Sequence, residues 1–199
     1  MTVKLMMLAL LLSGVAGCNG PDARADPASA GRVVDSALPR GEALRRFRER
    51  LTPVESLTGG TKSGDELVAA YLSALAAVDS AALVRLGVTQ AEFAWLYYPT
   101  TPMGRPPYDL EPGLMWFFQA QRSERGLSKA LQLYGGRPMS LVDYDCGVEA
   151  SHEGENMVYG PCTVRWRAAG GDTVAVRLFN QMLERDGRFK ILNYGNRLD

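Results

Sequence analysis

The hydrophobic period of this chain changes once, at Pro138, and no other feature limits its fold as much. Before that residue apolar side chains recur at helical spacing, and after it they alternate. In MSLVDYDCGVE (139–149), Val142, Tyr144, Cys146 and Val148 share one face. In MVYGPCTVRWRA (157–168), Val158, Cys162, Val164 and Trp166 do the same. Folding the two segments about Gly154 sets Val142 opposite Trp166, Tyr144 opposite Val164 and Cys146 opposite Cys162. The apolar faces then coincide, which is the condition that fixes register. Two further turns, AAGGD (168–172) and ERDGR (184–188), carry hairpin chemistry, the second through its Asp-Gly pair. A three-residue loop at 170–172 keeps Trp166 opposite Val176 and Val164 opposite Leu178. The result is a four-stranded antiparallel meander. Its last two strands are apolar on both sides, with Leu178, Met182, Phe189 and Ile191 on one and Phe179, Leu183, Leu192 and Tyr194 on the other. Such a sheet must be covered twice.

The helical half has clear starts. Ser63 and Glu66 form a capping box ahead of Leu67, Tyr71, Ala74 and Leu75, and Thr89 and Glu92 form another ahead of Phe93, Leu96 and Tyr97. Asp79 can cap a short helix bearing Leu83 and Leu86. A first helix over 43–51 puts Leu44, Phe47 and Leu51 on one face and Arg45, Arg46, Arg48 and Arg50 on the other. That basic face is either solvated or turned to an anionic surface. A proline-rich connection (98–112) follows, and then two helical segments, 114–121 and 123–136, the second stopped by Gly135 and Gly136.

Lys plus Arg equals Asp plus Glu at 22 each, so a chain-wide basic field for nucleic acid is absent. With 46% hydrophobic residues the chain can bury a core. Residues 1–18, MTVKLMMLALLLSGVAGC, carry one early lysine and an apolar run too short to span roughly 30 Å of hydrocarbon. The tetrapeptide Val15-Ala16-Gly17-Cys18 resembles a bacterial lipoprotein lipobox. That resemblance implies a signal peptide over 1–17 and a lipid on Cys18, against the alternative of an ordinary signal peptide with an incidental cysteine. It implies an envelope address and the membrane as a partner through that lipid. Asn19 in place of aspartate points to the outer membrane, facing the periplasm, in a Gram-negative host. Residues 18–42, rich in Gly, Pro, Ala and Ser, read as a flexible tether. The globular domain is 43–199, with its core about 63–197.

Chemistry is sparse. The register makes Cys146 and Cys162 cross-strand neighbours and, in an oxidising compartment, a structural disulfide. Two buried thiols are the alternative. The sole histidine, His152, falls in the expected turn SHEGEN, so neither a triad nor a zinc site is supported, and no metal or cofactor is expected. Asp143 and Asp145 share a strand face and are weak candidates for an acid–base pair. The same face of the next strand carries Arg165 and Arg167, and cross-strand charge pairing explains the aspartates equally. The aromatic residues Trp95, Tyr97, Tyr98, Tyr108 and Trp116, with Tyr71, line a ligand pocket, plug the core, or border a docking edge at Arg105–Tyr108.

Helices first and an antiparallel meander last resembles the NTF2-like (SnoaL-like) fold, an α+β cone in which N-terminal helices pack on a curved four-stranded antiparallel sheet. The resemblance covers roughly 63–197, rests on layout and carries over no catalytic residue. It implies a pocket inside the cone and a homodimer through the other sheet face. Fold does not fix function in that family. The sequence therefore favours a lipid-anchored, non-enzymatic domain that binds an apolar small molecule or a partner protein. The rival is a small-molecule isomerase or hydrolase using Asp143 or Asp145.

Overall fold

A computed structural model describes residues 38–147 and 149–198. Cys18, the expected signal peptide and most of the expected tether lie outside the described residues, as does Val148. The chain is α+β. Helices α1 (Arg40–Arg48), α2 (Gly64–Ala76), α3 (Ser80–Arg85), α4 (Gln90–Glu92) and α5 (Pro112–Tyr134) precede strands β1 (Met139–Asp145), β2 (Ser151–Glu153), β3 (Asn156–Tyr159), β4 (Cys162–Ala168), β5 (Thr173–Phe179), β6 (Gln181–Arg185) and β7 (Arg188–Asn193). Among the described residues no helix is long and apolar enough to cross a membrane.

The expected caps set the helix starts. Ser63 accepts from the Glu66 N–H, Asp79 from Ala82, and Thr89 and Glu92 form a reciprocal box. The first helix starts at Arg40, earlier than expected, so the tether's assigned end at 42 falls inside it. Arg40 is held there by the carbonyls of Tyr98 and Pro99. Two of the four arginines on the basic face of α1, Arg45 and Arg46, pair with glutamates of the same helix. Arg48 instead lies 4.0 Å over the Trp95 ring and donates to the Ala94 carbonyl. After Glu92 the helix widens into a π-helical turn, Phe93–Tyr97, closed by the Tyr98 N–H on the Phe93 carbonyl. The two segments expected at 114–121 and 123–136 are one helix, α5, because Arg122 and Ser123 continue its period without a glycine or proline to stop it.

The strands build two antiparallel sheets, β1-β4-β5 and β2-β3-β6-β7, in place of one continuous four-stranded sheet, and they are not curled into a cone. The first expected strand ends early, at Asp145, and β2 forms inside the expected turn SHEGEN. Two others are interrupted, one at Gly160-Pro161, where proline has no N–H for a ladder, and one at Asn180. Cys162 N–H donates to the Asn180 carbonyl across the last two.

Register follows the expectation in part. Tyr144 faces Val164, and Cys146 and Cys162 form a disulfide with Cα atoms 3.8 Å apart. Val142 does not face Trp166; Leu141 does, because a bulge makes Val142 the unpaired residue and leaves it exposed. Trp166 faces Val174 and Val164 faces Val176, two residues from the expected pairs. A shift of two preserves which side each residue faces, so the core survives the slip. His152 sits in β2 opposite Met157, not in the turn. The turn between β6 and β7 has positive φ at both Asp186 and Gly187, as its Asp-Gly pair requires.

The double apolar character of the last strands is satisfied by the chain itself. One core gathers Met182 and Ile191 with Leu67, Tyr71, Leu75 and Trp166. The other gathers Leu183 and Leu192 with Phe93, Tyr97, Tyr98 and Leu57. Both faces of the β6–β7 pair are therefore covered by the chain itself. Between these layers Lys190 reaches Glu92 at 2.8 Å, both side chains almost wholly buried.

Candidate functional site

Helix α5 lies close against the end of β7. Gly126 permits this, since a Cβ there would collide with the Tyr194 carbonyl oxygen. Ser123 Oγ accepts from the Tyr194 N–H at 3.2 Å, and Asn196 donates to the Gly126 carbonyl. The helix thus meets the strand along a narrow seam of small and polar groups and leaves a hollow along each flank.

The first hollow is an apolar cavity of about 430 Å³. Trp116, Leu127 and Leu131 of α5 form one wall, Ile191 and Leu192 of β7 another, and Val88 closes it. Val88 is fixed by its N–H on the Ile191 carbonyl, and Ile191 returns a bond to Leu86. The Glu92–Lys190 pair pins the same two elements one step away. Gln119, Ser123, Glu124 and Ser128 are its polar members.

The second hollow is a cleft of about 540 Å³, where Met103, Leu110, Met115 and Phe118 meet Tyr97, Glu153 and Arg122. The Glu153 carboxyl faces the hydroxyls of Tyr97 and Thr101, and its Oε2 is buried with no hydrogen-bond partner. Burial pushes this carboxyl above the ordinary range, and the two hydroxyls pull it partly back. Burial, and then the charge of Glu153, pushes the Tyr97 phenol up as well. A carboxyl beside a phenol at the edge of a cleft is a candidate for proton exchange with a guest.

Four of the six expected pocket residues, Trp95, Tyr97, Tyr98 and Trp116, meet in the core around Phe93, but the six do not line one pocket. Trp116 lines the apolar cavity and Tyr97 the cleft. Tyr71 is buried in the core against Phe179 and Tyr194, and Tyr98 is buried beside Phe93 with its hydroxyl on the Leu110 carbonyl. Trp95 lies under Arg48, and Tyr108 is exposed. Asp143 pairs with Arg165 at 2.6 Å on an exposed strand face, and Asp145 accepts from the Gly147 N–H. Neither aspartate lines either hollow.

No protein family, curated protein or solved structure matches the chain. Glu153 and Thr101 carry no signal in the sequence, since each sits in a polar stretch with turn or loop composition. Among the described residues no three His, Cys, Asp or Glu side chains are grouped to hold a metal ion.

Proposed function

We propose that this chain is a lipid-anchored envelope protein whose domain binds an apolar small molecule in the cavity between α5 and β7. The cavity itself carries the reading: about 430 Å³ walled by Trp116, Leu127, Leu131, Ile191 and Leu192 falls in the range of small-molecule sites. The lipobox-like Val15–Cys18 supports attachment through Cys18 and an outer-membrane position facing the periplasm. Helices followed by antiparallel strands support the NTF2-like likeness, in which a pocket between helices and sheet holds the guest. A partner protein in place of the small molecule has less support, because both faces of the β6–β7 pair are occupied by the chain's own side chains.

The test is a titration of residues 38–199 with the neutral fluorophore N-phenyl-1-naphthylamine. Saturable enhancement is expected, and Ala120→Trp, which places an indole in the cavity, abolishes it while leaving the unfolding transition in place. Undiminished binding by the folded Ala120→Trp variant refutes this cavity as the site.

A second reading, acid–base chemistry, rests on Glu153 and Tyr97 and not on Asp143 or Asp145. Only the first pair combines a buried carboxyl with an adjoining cleft.

A further inference from the structure

Beyond the cleft that holds Glu153, the same flank of α5 opens into a basic hollow of about 430 Å³. The two share Arg122, Asn180 and Asn193, so they are adjoining parts of one groove. Arg122 and Arg125 come from α5, Arg177 from β5 and Arg197 from the segment after β7. We infer that this groove is a site for a small amphipathic anion, its phosphate or carboxylate head on Arg122, Arg177 and Arg197 and its apolar remainder against Met103, Met115 and Phe118.

Three observations carry the inference. First, the hollow gathers four arginines at one place, whereas many arginines elsewhere have partners. Arg45 and Arg46 have Glu42, Arg165 has Asp143, Arg185 has Glu155, and Arg40 and Arg48 have main-chain carbonyls. Arg125 is held by Gln121. Among the described residues Arg122, Arg177 and Arg197 have no ion pair or side-chain hydrogen bond, in a chain with as many acids as bases. Second, Arg177 and Arg197 are direct antiparallel bridge partners, the Arg197 N–H donating to the Arg177 carbonyl at 3.2 Å. Like charges set opposite each other destabilise a ladder unless a counter-charge lies between them. Third, the Arg177 Nε is buried with no partner, a donor left unused inside the protein. Guanidinium groups converging from three elements match the several oxygens of one phosphate or carboxylate. The apolar end of the groove gives the ligand its second half.

The inference does not rest on the apolar cavity, which meets the cleft at Gln119 and Leu192 but shares no residue with the basic hollow. Its test is isothermal titration calorimetry of the full chain in phosphatidylcholine nanodiscs with phenyl phosphate, inorganic phosphate and neutral benzyl alcohol as probes. Phenyl phosphate is expected to bind saturably and more tightly than either half alone, with an affinity that falls as salt rises. Arg122→Gln and Arg177→Gln should each weaken it about tenfold, while Arg50→Gln, with the same loss of charge on a distant surface, leaves it unchanged. Arg122 is exposed on α5, so its variant tests the site without disturbing the core. Repeating the titration with phosphatidylglycerol in the nanodisc separates the sources of the head. Loss of phenyl phosphate binding assigns it to a membrane lipid, and retained binding assigns it to a soluble molecule. Absence of phenyl phosphate binding in neutral nanodiscs, or equal weakening by Arg50→Gln, overturns the site.

Discussion

Lys190→Met removes the only full positive charge from a buried carboxylate. Glu92 is wholly buried and accepts from Lys190 Nζ at 2.8 and 3.0 Å, from the Thr58 N–H at 2.7 Å, from Thr58 Oγ1 at 3.0 Å and from the Thr89 N–H at 2.7 Å. Breaking a buried pair from one side costs about 3–5 kcal/mol. Three hydrogen bonds survive and methionine refills the apolar stem, so the loss at pH 7 should fall near the lower end, about 3 kcal/mol. The pH dependence distinguishes charge from packing. In the native protein burial would raise the Glu92 carboxyl, but the bonds from Lys190, Thr89 and Thr58 outweigh it and leave it below the ordinary range. Its contribution is thus present above the ordinary carboxylate pKa and lost as pH falls through the folded value. Without Lys190 the folded carboxyl rises instead, and its penalty appears as pH climbs past the ordinary carboxylate pKa. Urea unfolding followed by tryptophan fluorescence should therefore show a variant deficit that is large at pH 7 and shrinks toward pH 4. The double variant Glu92→Met/Lys190→Met should recover most of the loss. A deficit below about 1 kcal/mol, or one equal at both pH values, refutes the assignment of this pair as a charge-dependent lock.

Three further outcomes are expected. Cys146→Ser/Cys162→Ser should lose about 3 kcal/mol in the chain-entropy account for a loop of sequence separation 16, read by denaturant unfolding without reductant. Gly126→Ala, which helix propensity alone would make stabilising by about 1 kcal/mol, should destabilise by at least about 2 kcal/mol, since the added Cβ meets the main chain of Tyr194. Thermal unfolding decides the sign. Glu153→Gln should flatten the pH dependence of stability: the raised Glu153 carboxyl stabilises below its ordinary value and loses that advantage as pH rises through its folded value, so the variant gains on the native protein between pH 4 and 7. Melting temperatures across that interval measure it.

Those elements that are written locally were readable from the chain. Ser63, Asp79 and Thr89 announce their helices because a cap needs only the next three residues. Asp186-Gly187 announces its turn because few other pairs accept positive φ twice. The Cys146–Cys162 bridge was readable because alternation fixes facing once the turn at Gly154 is chosen. The interruptions at Gly160-Pro161 and Asn180 were not. Each looks like one irregular residue in a strand, and whether it bends one sheet or divides it into two depends on pairing with distant segments. Val142 shows the same limit. Alternation alone assigned it inward, and a bulge turned it out.

The hollows were less legible than the fold, for a related reason. A pocket read from composition gathers aromatic residues close in sequence, and here those residues serve separate roles. Tyr71 and Tyr98 fill cores, Trp95 receives Arg48, and only Tyr97 and Trp116 reach a hollow, on opposite flanks of α5. What creates the hollows is the seam between them, and that seam depends on Gly126 and Ser123, residues a sequence reading treats as featureless. Because α5 can approach β7 only there, its bulkier neighbours must project to either side: Leu127 and Leu131 toward the apolar cavity, Arg122 and Arg125 toward the basic groove. One close contact thus sorts the side chains of a single helix into two unlike walls. Widening the seam through Gly126→Ala should accordingly weaken the binding of both N-phenyl-1-naphthylamine and phenyl phosphate, whereas Ala120→Trp should affect the first alone.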